Sequence, residues 1–240
     1  MSRPEEAYRR LLDAFDPQGW WPSKSLAADA APWDENPVDP DAWEVVVGAV
    51  LVQHTSWRNV VRAVRALDEA GAMSVAAIDA MDAEVLAELI RVAGPKRVKA
   101  RRLKAVARFF AENADGDVGQ WLEGVADRSV ALARRRELLA VHGVGPETAD
   151  VILLYAGGAP VFVVDAYKRR VMRRHGWGNA DAAYDDVARW WRRGLAVDAA
   201  VYNEAHALLV RVGVEHCHAR APKCDGCPLA PMLPRGGVCG

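Results

Sequence analysis

An all-α fold is predicted by three observations. Seven segments carry apolar residues at helical spacing, nothing alternates convincingly with period two, and Gly, Pro and Asp punctuate the intervals. In order, residues about 8–40 come first. They include FDPQGWWPSKSLAADAAPWDENPVDP, are rich in Pro, Trp and Asp, and predict a long ordered crossing rather than a helix. Helical spacing then covers Ala42–Leu51, Val60–Ala70, Asp82–Val92, Lys99–Asn113 and Val130–His142, and returns at Asp181–Gly194 and Ala199–Val212. No low-complexity segment or short tandem repeat interrupts them.

Between Leu139 and Arg170 the chain reads LAVHGVGPETADVILLYAGGAPVFVVDAYKRR. An apolar helical tail meets the tight turn Gly143-Val144-Gly145, and Pro146 opens a helix-compatible run to Leu154. Glycine permits a sharp reversal and leaves the local amides uncovered. Proline suits the first helical position because its missing N–H would be unpaired there anyway. The unit reads as helix, hairpin, helix, with free amides that can hold a phosphate without reading sequence. An isolated turn of this kind also serves simply to join two packed helices. Gly157-Gly158 and Pro160 end the second helix, Val161–Val164 is a short buried run, and Asp165 stands just before the basic helix AYKRRVMRR. Asp in that place serves as an N-cap.

The chain of 240 residues can build one large or two modest domains. Half of it is hydrophobic, yet no run approaches a membrane span, and MSRPEEAYRR lacks an apolar signal core, so a cytoplasmic protein is expected. A net charge of −1 argues against a protein that coats nucleic acid indiscriminately. Basic clusters at Lys96–Arg108, Arg134–Arg136, Lys168–Arg174 and Arg192–Arg193 still suit a site for a few phosphates, although each alone also reads as a solvated face. All four cysteines, Cys217, Cys224, Cys227 and Cys239, lie in the last 24 residues. Without a secretory signal this reads as metal ligation, and spacing alone suits zinc or a [4Fe–4S] cluster equally.

Hairpin, apolar helix and Asp165 at this spacing resemble the helix-hairpin-helix base-excision DNA glycosylases of the endonuclease III superfamily. The resemblance covers nearly the whole chain and is best over residues 40–230. It implies a six-helix barrel domain over 41–150, ending in the hairpin, and a second helical domain from 1–40 with 151–240. A cleft between them would hold double-stranded DNA and the extruded damaged base. Asp165 is then the catalytic carboxylate. His142, Gly143, Val144, Gly145 and Glu147 form the DNA-binding hairpin, with a monovalent cation bridging backbone carbonyls and DNA. The cysteines then hold a [4Fe–4S] cluster. C-HARAPK-C-DG-C keeps the first two intervals of the family's Cys-x6-Cys-x2-Cys-x5-Cys, but eleven residues separate Cys227 from Cys239. A longer loop closes at little extra entropic cost.

Three positions narrow the resemblance. Glu147 stands where bifunctional members carry the lysine that attacks the sugar, and a carboxylate cannot form a Schiff base. Lys168, one turn after Asp165, is a conceivable substitute amine, but an exposed charged face is the expectation. Gln53 in VLVQHT matches the glutamine that fills the hole left by an extruded nucleotide. Trp20 and Trp21 in GWWP, with Trp57 in VQHTSW, look like the aromatic residues that sandwich the flipped base in the 3-methyladenine DNA glycosylase III branch. That branch lacks the cysteine cluster. Indole faces attract a cationic alkylbase.

The expectation is a monomeric, monofunctional glycosylase that removes N3-alkylated purines hydrolytically. The alternatives are endonuclease III-like excision of oxidised pyrimidines or mismatched uracil and thymine, and a non-catalytic iron–sulfur DNA-binding protein.

Overall fold

A computed structural model describes residues 1–18, 21 and 41–238. Every regular element among them is helical. The α-helices are α1 (Arg3–Phe15), α2 (Ala42–Leu51), α3 (Trp57–Glu69), α4 (Val75–Ala80), α5 (Ala83–Leu89), α6 (Lys96–Ala114), α7 (Val118–Trp121), α8 (Arg128–Ala140), α9 (Pro146–Val151), α10 (Ala166–His175), α11 (Tyr184–Trp191) and α12 (Ala199–Glu215). Among the described residues no helix is long and apolar enough to cross a membrane.

The chain divides into two compact units, one of Trp20–Ala159 and one of Met1–Gly19 with Pro160–Gly240. Sequence reading puts the boundaries at 40/41 and 150/151, whereas the compact units divide at 19/20 and 159/160; the wider helical turn Ile152–Ala156, which continues α9, packs on α2 and so joins the first unit.

In the first unit α2 is the central helix. Asp41 caps it by accepting from the Trp43 and Glu44 amides, and Val45, Val46, Val47, Val50 and Leu51 are wholly buried. A helix apolar on all sides must be surrounded, and α3, α6, α7 and α9 pack around it. Its C-terminal carbonyls need donors. Lys99 of α6 supplies one: its buried ammonium donates to the Leu51 carbonyl at 2.7 Å and also to the Ala93 carbonyl. Burial lowers Lys99 to about 8, with Arg102 adding to the effect.

The second unit places α1 and α10 on α12. A Cβ on Gly213 would overlap the Tyr167 side chain, so glycine there lets α10 and α12 approach closely. Phe162, Trp177, Trp190, Trp191 and Tyr202 form a connected aromatic cluster.

The seven predicted helices are all present, α2 with its predicted ends and the other six with shifted ones. Residues 82–92 split into α5 and the tighter turn Arg91–Ala93, and residues 181–194 narrow to α11. The crossing expected from residue 8 is corrected: α1 runs to Phe15, set by a Ser2–Glu5 capping box that the sequence contains. Residues 22–40 of that crossing lie outside the described residues.

Candidate functional site

The hairpin between α8 and α9 uses its two glycines differently. Gly143 has φ +86°, and a Cβ there would overlap the Arg102 side chain. Gly145 is extended at φ −97°, and a Cβ there would meet nothing within 4 Å. It caps α9 without a side chain, so the amides of the first turn keep no side-chain acceptor from the cap. Val144 turns its side chain inward, whereas His142 and Glu147 are exposed. The Val141 and Gly143 carbonyls, candidates for bridging a cation, already accept from the Val144 amide and from Gln53. Arg135 donates to both oxygens of buried Asp150, at 2.6 and 3.2 Å, and ties α8 to α9 across the hairpin.

Gln53 lies in the turn after α2 and its side chain folds onto the hairpin. Its Nε2 donates to the Gly143 carbonyl at 3.2 Å and to the Thr148 hydroxyl at 3.0 Å, while its Oε1 accepts from Arg102. Gln53, the expected filler, is thus held by three partners.

Trp21 is buried and Trp57 half-buried. Their rings touch edge to face, with centroids 5.0 Å apart and planes at 86°. Two faces that sandwich a base must be parallel and separated by its thickness, so no slot exists between this pair. The expected clasp pairs Trp57 with Trp20 or Trp21, and only the second of these pairs can be described. Trp20 lies outside the described residues. Tyr155, not anticipated from sequence, packs on Trp21 at 5.0 Å. Gly48 makes room for the cluster, since a Cβ there would sit 2.9 Å from Trp21. Glu44, one turn earlier on α2, is a buried carboxylate.

In the other unit Asp165 caps α10, with Oδ1 accepting the Lys168 amide at 2.8 Å. Its Oδ2 accepts the Lys168 ammonium at 3.1 Å, and His206 Nε2 lies 3.4 Å from the same oxygen. Lys168 is wholly buried, which corrects the expectation of an exposed charged face. An ammonium is buried only against a partner, and Asp165 is that partner. Burial pushes His206 down to about 3, assisted by Lys168, so its ring is neutral. Burial alone would raise the Asp165 carboxyl, but the Lys168 ammonium, His206 and the Lys168 amide hold it below the ordinary aspartate range.

Cys217, Cys224 and Cys227 line one recess with Arg174, His216 and Leu233. Arg174 donates to the Cys217 sulfur at 3.2 Å and Arg170 to the Cys217 carbonyl at 2.6 Å. Burial raises the Cys227 thiol, and Cys217 and Cys224 raise it further, so the three thiols feel one another. Among the described residues no three His, Cys, Asp or Glu side chains converge tightly enough to hold a metal ion. Cys239 lies outside the described residues. Thiols around one recess, with a guanidinium on one sulfur, have the donor chemistry that a thiolate-bound group requires.

Among the described residues the frame is all-helical, with a glycine hairpin between α8 and α9 and a buried aspartate at the head of the basic α10. Comparison with known proteins gives the family. The HhH-GPD superfamily of base excision DNA repair proteins matches residues 47–195. A putative DNA repair glycosylase of Methanocaldococcus jannaschii is 40% identical over 222 residues, spanning 92% of this chain and 91% of the relative. The endonuclease III of Sulfolobus acidocaldarius is 27% identical over 191 residues, 79% of this chain and 80% of that one. The chain thus belongs to the HhH-GPD superfamily, as a DNA glycosylase of base excision repair in the endonuclease III family. Two solved structures share its fold. A non-covalent endonuclease III–DNA complex has a TM-score of 0.74 at 22% identity, covering 98% of this chain and 97% of that one. Helicobacter pylori 3-methyladenine DNA glycosylase bound to 1,N6-ethenoadenine has a TM-score of 0.66 at 23% identity, covering 88% and 96%.

Proposed function

We propose that the protein is a monofunctional glycosylase that hydrolyses the bond between a damaged base and its sugar and leaves the strand intact. It acts as a monomer on double-stranded DNA. The observation that carries this reading is Asp165, a buried carboxylate held below the ordinary aspartate range at the head of a basic helix. A fixed anion stabilises the oxocarbenium-like sugar as the glycosidic bond breaks. The base leaves with the bonding electron pair, water adds to the anomeric carbon, and the proton it sheds passes to solvent. Absence of strand cleavage follows from Glu147, which cannot form an imine with the sugar.

The preferred substrate is an N3-alkylated purine such as 3-methyladenine. Such a base is cationic, and Trp21, Trp57 and Tyr155 offer a cluster of electron-rich rings. The cation leaves as a neutral base, so little acid assistance is required. The fold shared with the Helicobacter enzyme is consistent with this choice. A second reading, excision of oxidised pyrimidines or of mismatched uracil and thymine, is favoured by the contact that closes the slot between Trp21 and Trp57.

The hairpin amides hold a phosphate, and Gln53 leaves its three partners to fill the space of the extruded nucleotide. Cys217, Cys224, Cys227 and Cys239 would hold a [4Fe–4S] cluster, which when bound cross-links the C-terminal loop and supplies a redox centre. Asp165→Asn tests the reading. Excision is expected to fall at least a thousandfold while binding to a duplex with a stable abasic analogue persists. Undiminished excision would refute it.

A further inference from the structure

Lys168 contacts Asp165 twice, through its amide to Oδ1 at 2.8 Å and its ammonium to Oδ2 at 3.1 Å. Rotation of the carboxylate would break both bonds, so one residue fixes its orientation as well as its charge. His206, from α12, reaches the same Oδ2 at 3.4 Å from a second helix. A carboxylate has about four acceptor positions. The two hydrogen bonds from Lys168 leave roughly two positions for other donors.

We propose that Lys168 and His206 are positioning residues for Asp165. They keep it a fixed anion that opposes positive charge on the sugar, not a base that collects a proton from water. The proposal rests on the reading of Asp165 as the catalytic carboxylate. The Lys168 ammonium is the largest lowering influence on the carboxyl, and His206 lowers it further. Tyr167 also faces Asp165 from α10. Its phenol is pushed up by burial and by Asp165, and the Arg170 guanidinium lies 4.9 Å over its ring. Neither neutralises the carboxylate. A carboxyl held this low is a weak base, suited to stabilising a cation throughout the neutral range. The pairing also uses up Lys168: an ammonium bound to a carboxylate is not the free amine that imine formation requires.

The test is single-turnover excision from acid to alkaline pH with Lys168→Gln, whose amide can still donate to Oδ2 but carries no charge. The acid limb of the profile should move up by about one pH unit or more, with the neutral-to-alkaline rate within about tenfold of wild type. His206→Gln should slow excision and move the limb in the same direction, by less than Lys168→Gln does. An unmoved limb in folded Lys168→Gln would overturn the proposal. A borohydride-trapped wild-type adduct that Lys168→Gln abolishes would also do so, since Lys168 would then be a nucleophile. Should Lys168→Gln fail to fold, a carbon-13 titration of the wild-type Asp165 carboxyl decides: titration below the ordinary aspartate value of about 3.9 supports the proposal, and titration at or above it overturns it. Asp165→Asn is run in parallel. Full excision by that variant would sink the functional reading itself, whatever Lys168 does.

Discussion

Arg135 holds both carboxylate oxygens of Asp150, and this pair is the clasp across the glycine hairpin. Asp150 is almost fully buried and Arg135 largely so. Removing one partner strands the other's charge. Asp150→Ala is expected to cost about 3 kcal/mol of unfolding free energy in urea titration and to weaken binding to undamaged duplex. A loss below about 1 kcal/mol would mean that the clasp is solvated and adds little.

The two hairpin glycines should respond oppositely to substitution. Gly143→Ala forces a Cβ into the Arg102 side chain at φ +86°, so the melting temperature should drop clearly. Gly145→Ser enters open space at an N-cap, where Ser is a better cap than Gly, and stability should hold or rise by a few tenths of a kcal/mol. Its hydroxyl would then take up an amide that a phosphate needs, and duplex affinity should fall about tenfold. Calorimetry together with binding anisotropy checks both. Unaltered affinity in folded Gly145→Ser would remove the amides from the DNA contact.

The histidine makes stability depend on pH. His206 has a folded value of about 3, below the ordinary 6.5, so the unfolded chain binds the proton that the folded one refuses. Stability should therefore fall as pH drops from 6.5 toward about 3. The depressed Asp165 works in the same direction, its contribution being lost as pH falls below the unfolded value toward its lower folded one. His206→Gln should flatten the upper part of that decline in denaturant titrations across pH. An equally steep decline would show that the ring takes up its proton in the folded state.

For the C-terminal recess the expected content is about four iron atoms per chain and a brown colour, the count for one [4Fe–4S] cluster. Cys217→Ser should abolish both, because its sulfur is buried and bonded by Arg174. Cys239→Ser should matter least, given the eleven-residue interval before it. Stoichiometric zinc after anaerobic preparation would contradict the assignment.

The helices were legible because their apolar faces repeat every turn, and the hairpin because Gly, Gly and Pro have few conformational alternatives. Helix α1 was missed although Ser2 and Glu5 announce it, since its first turns are charged. Long-range pairing was not legible. Nothing local says that Gln53 bonds Gly143 and Thr148, that Arg135 meets Asp150, or that Tyr155 packs on Trp21. Lys168 was misjudged for a plainer reason. Basic residues in AYKRRVMRR favour solvent on average, and only burial against Asp165 inverts that.

The aromatic cluster carries the choice of substrate. Trp57→Ala should slow release of 3-methyladenine about tenfold, since a cation over an indole face gains roughly 0.5–2 kcal/mol. Binding to a stable abasic analogue, which leaves the base pocket empty, should change less. Equal losses on both ligands would make Trp57 a packing residue.

The central claim is tested most directly by single-turnover assays on duplexes that each carry one defined lesion, with every sample analysed before and after alkali. The account predicts release of 3-methyladenine faster than release of oxidised pyrimidines, with strands intact until alkali is added. Rapid release of thymine glycol without release of methyladenine, or nicking before alkali with a borohydride-trapped complex, would contradict it.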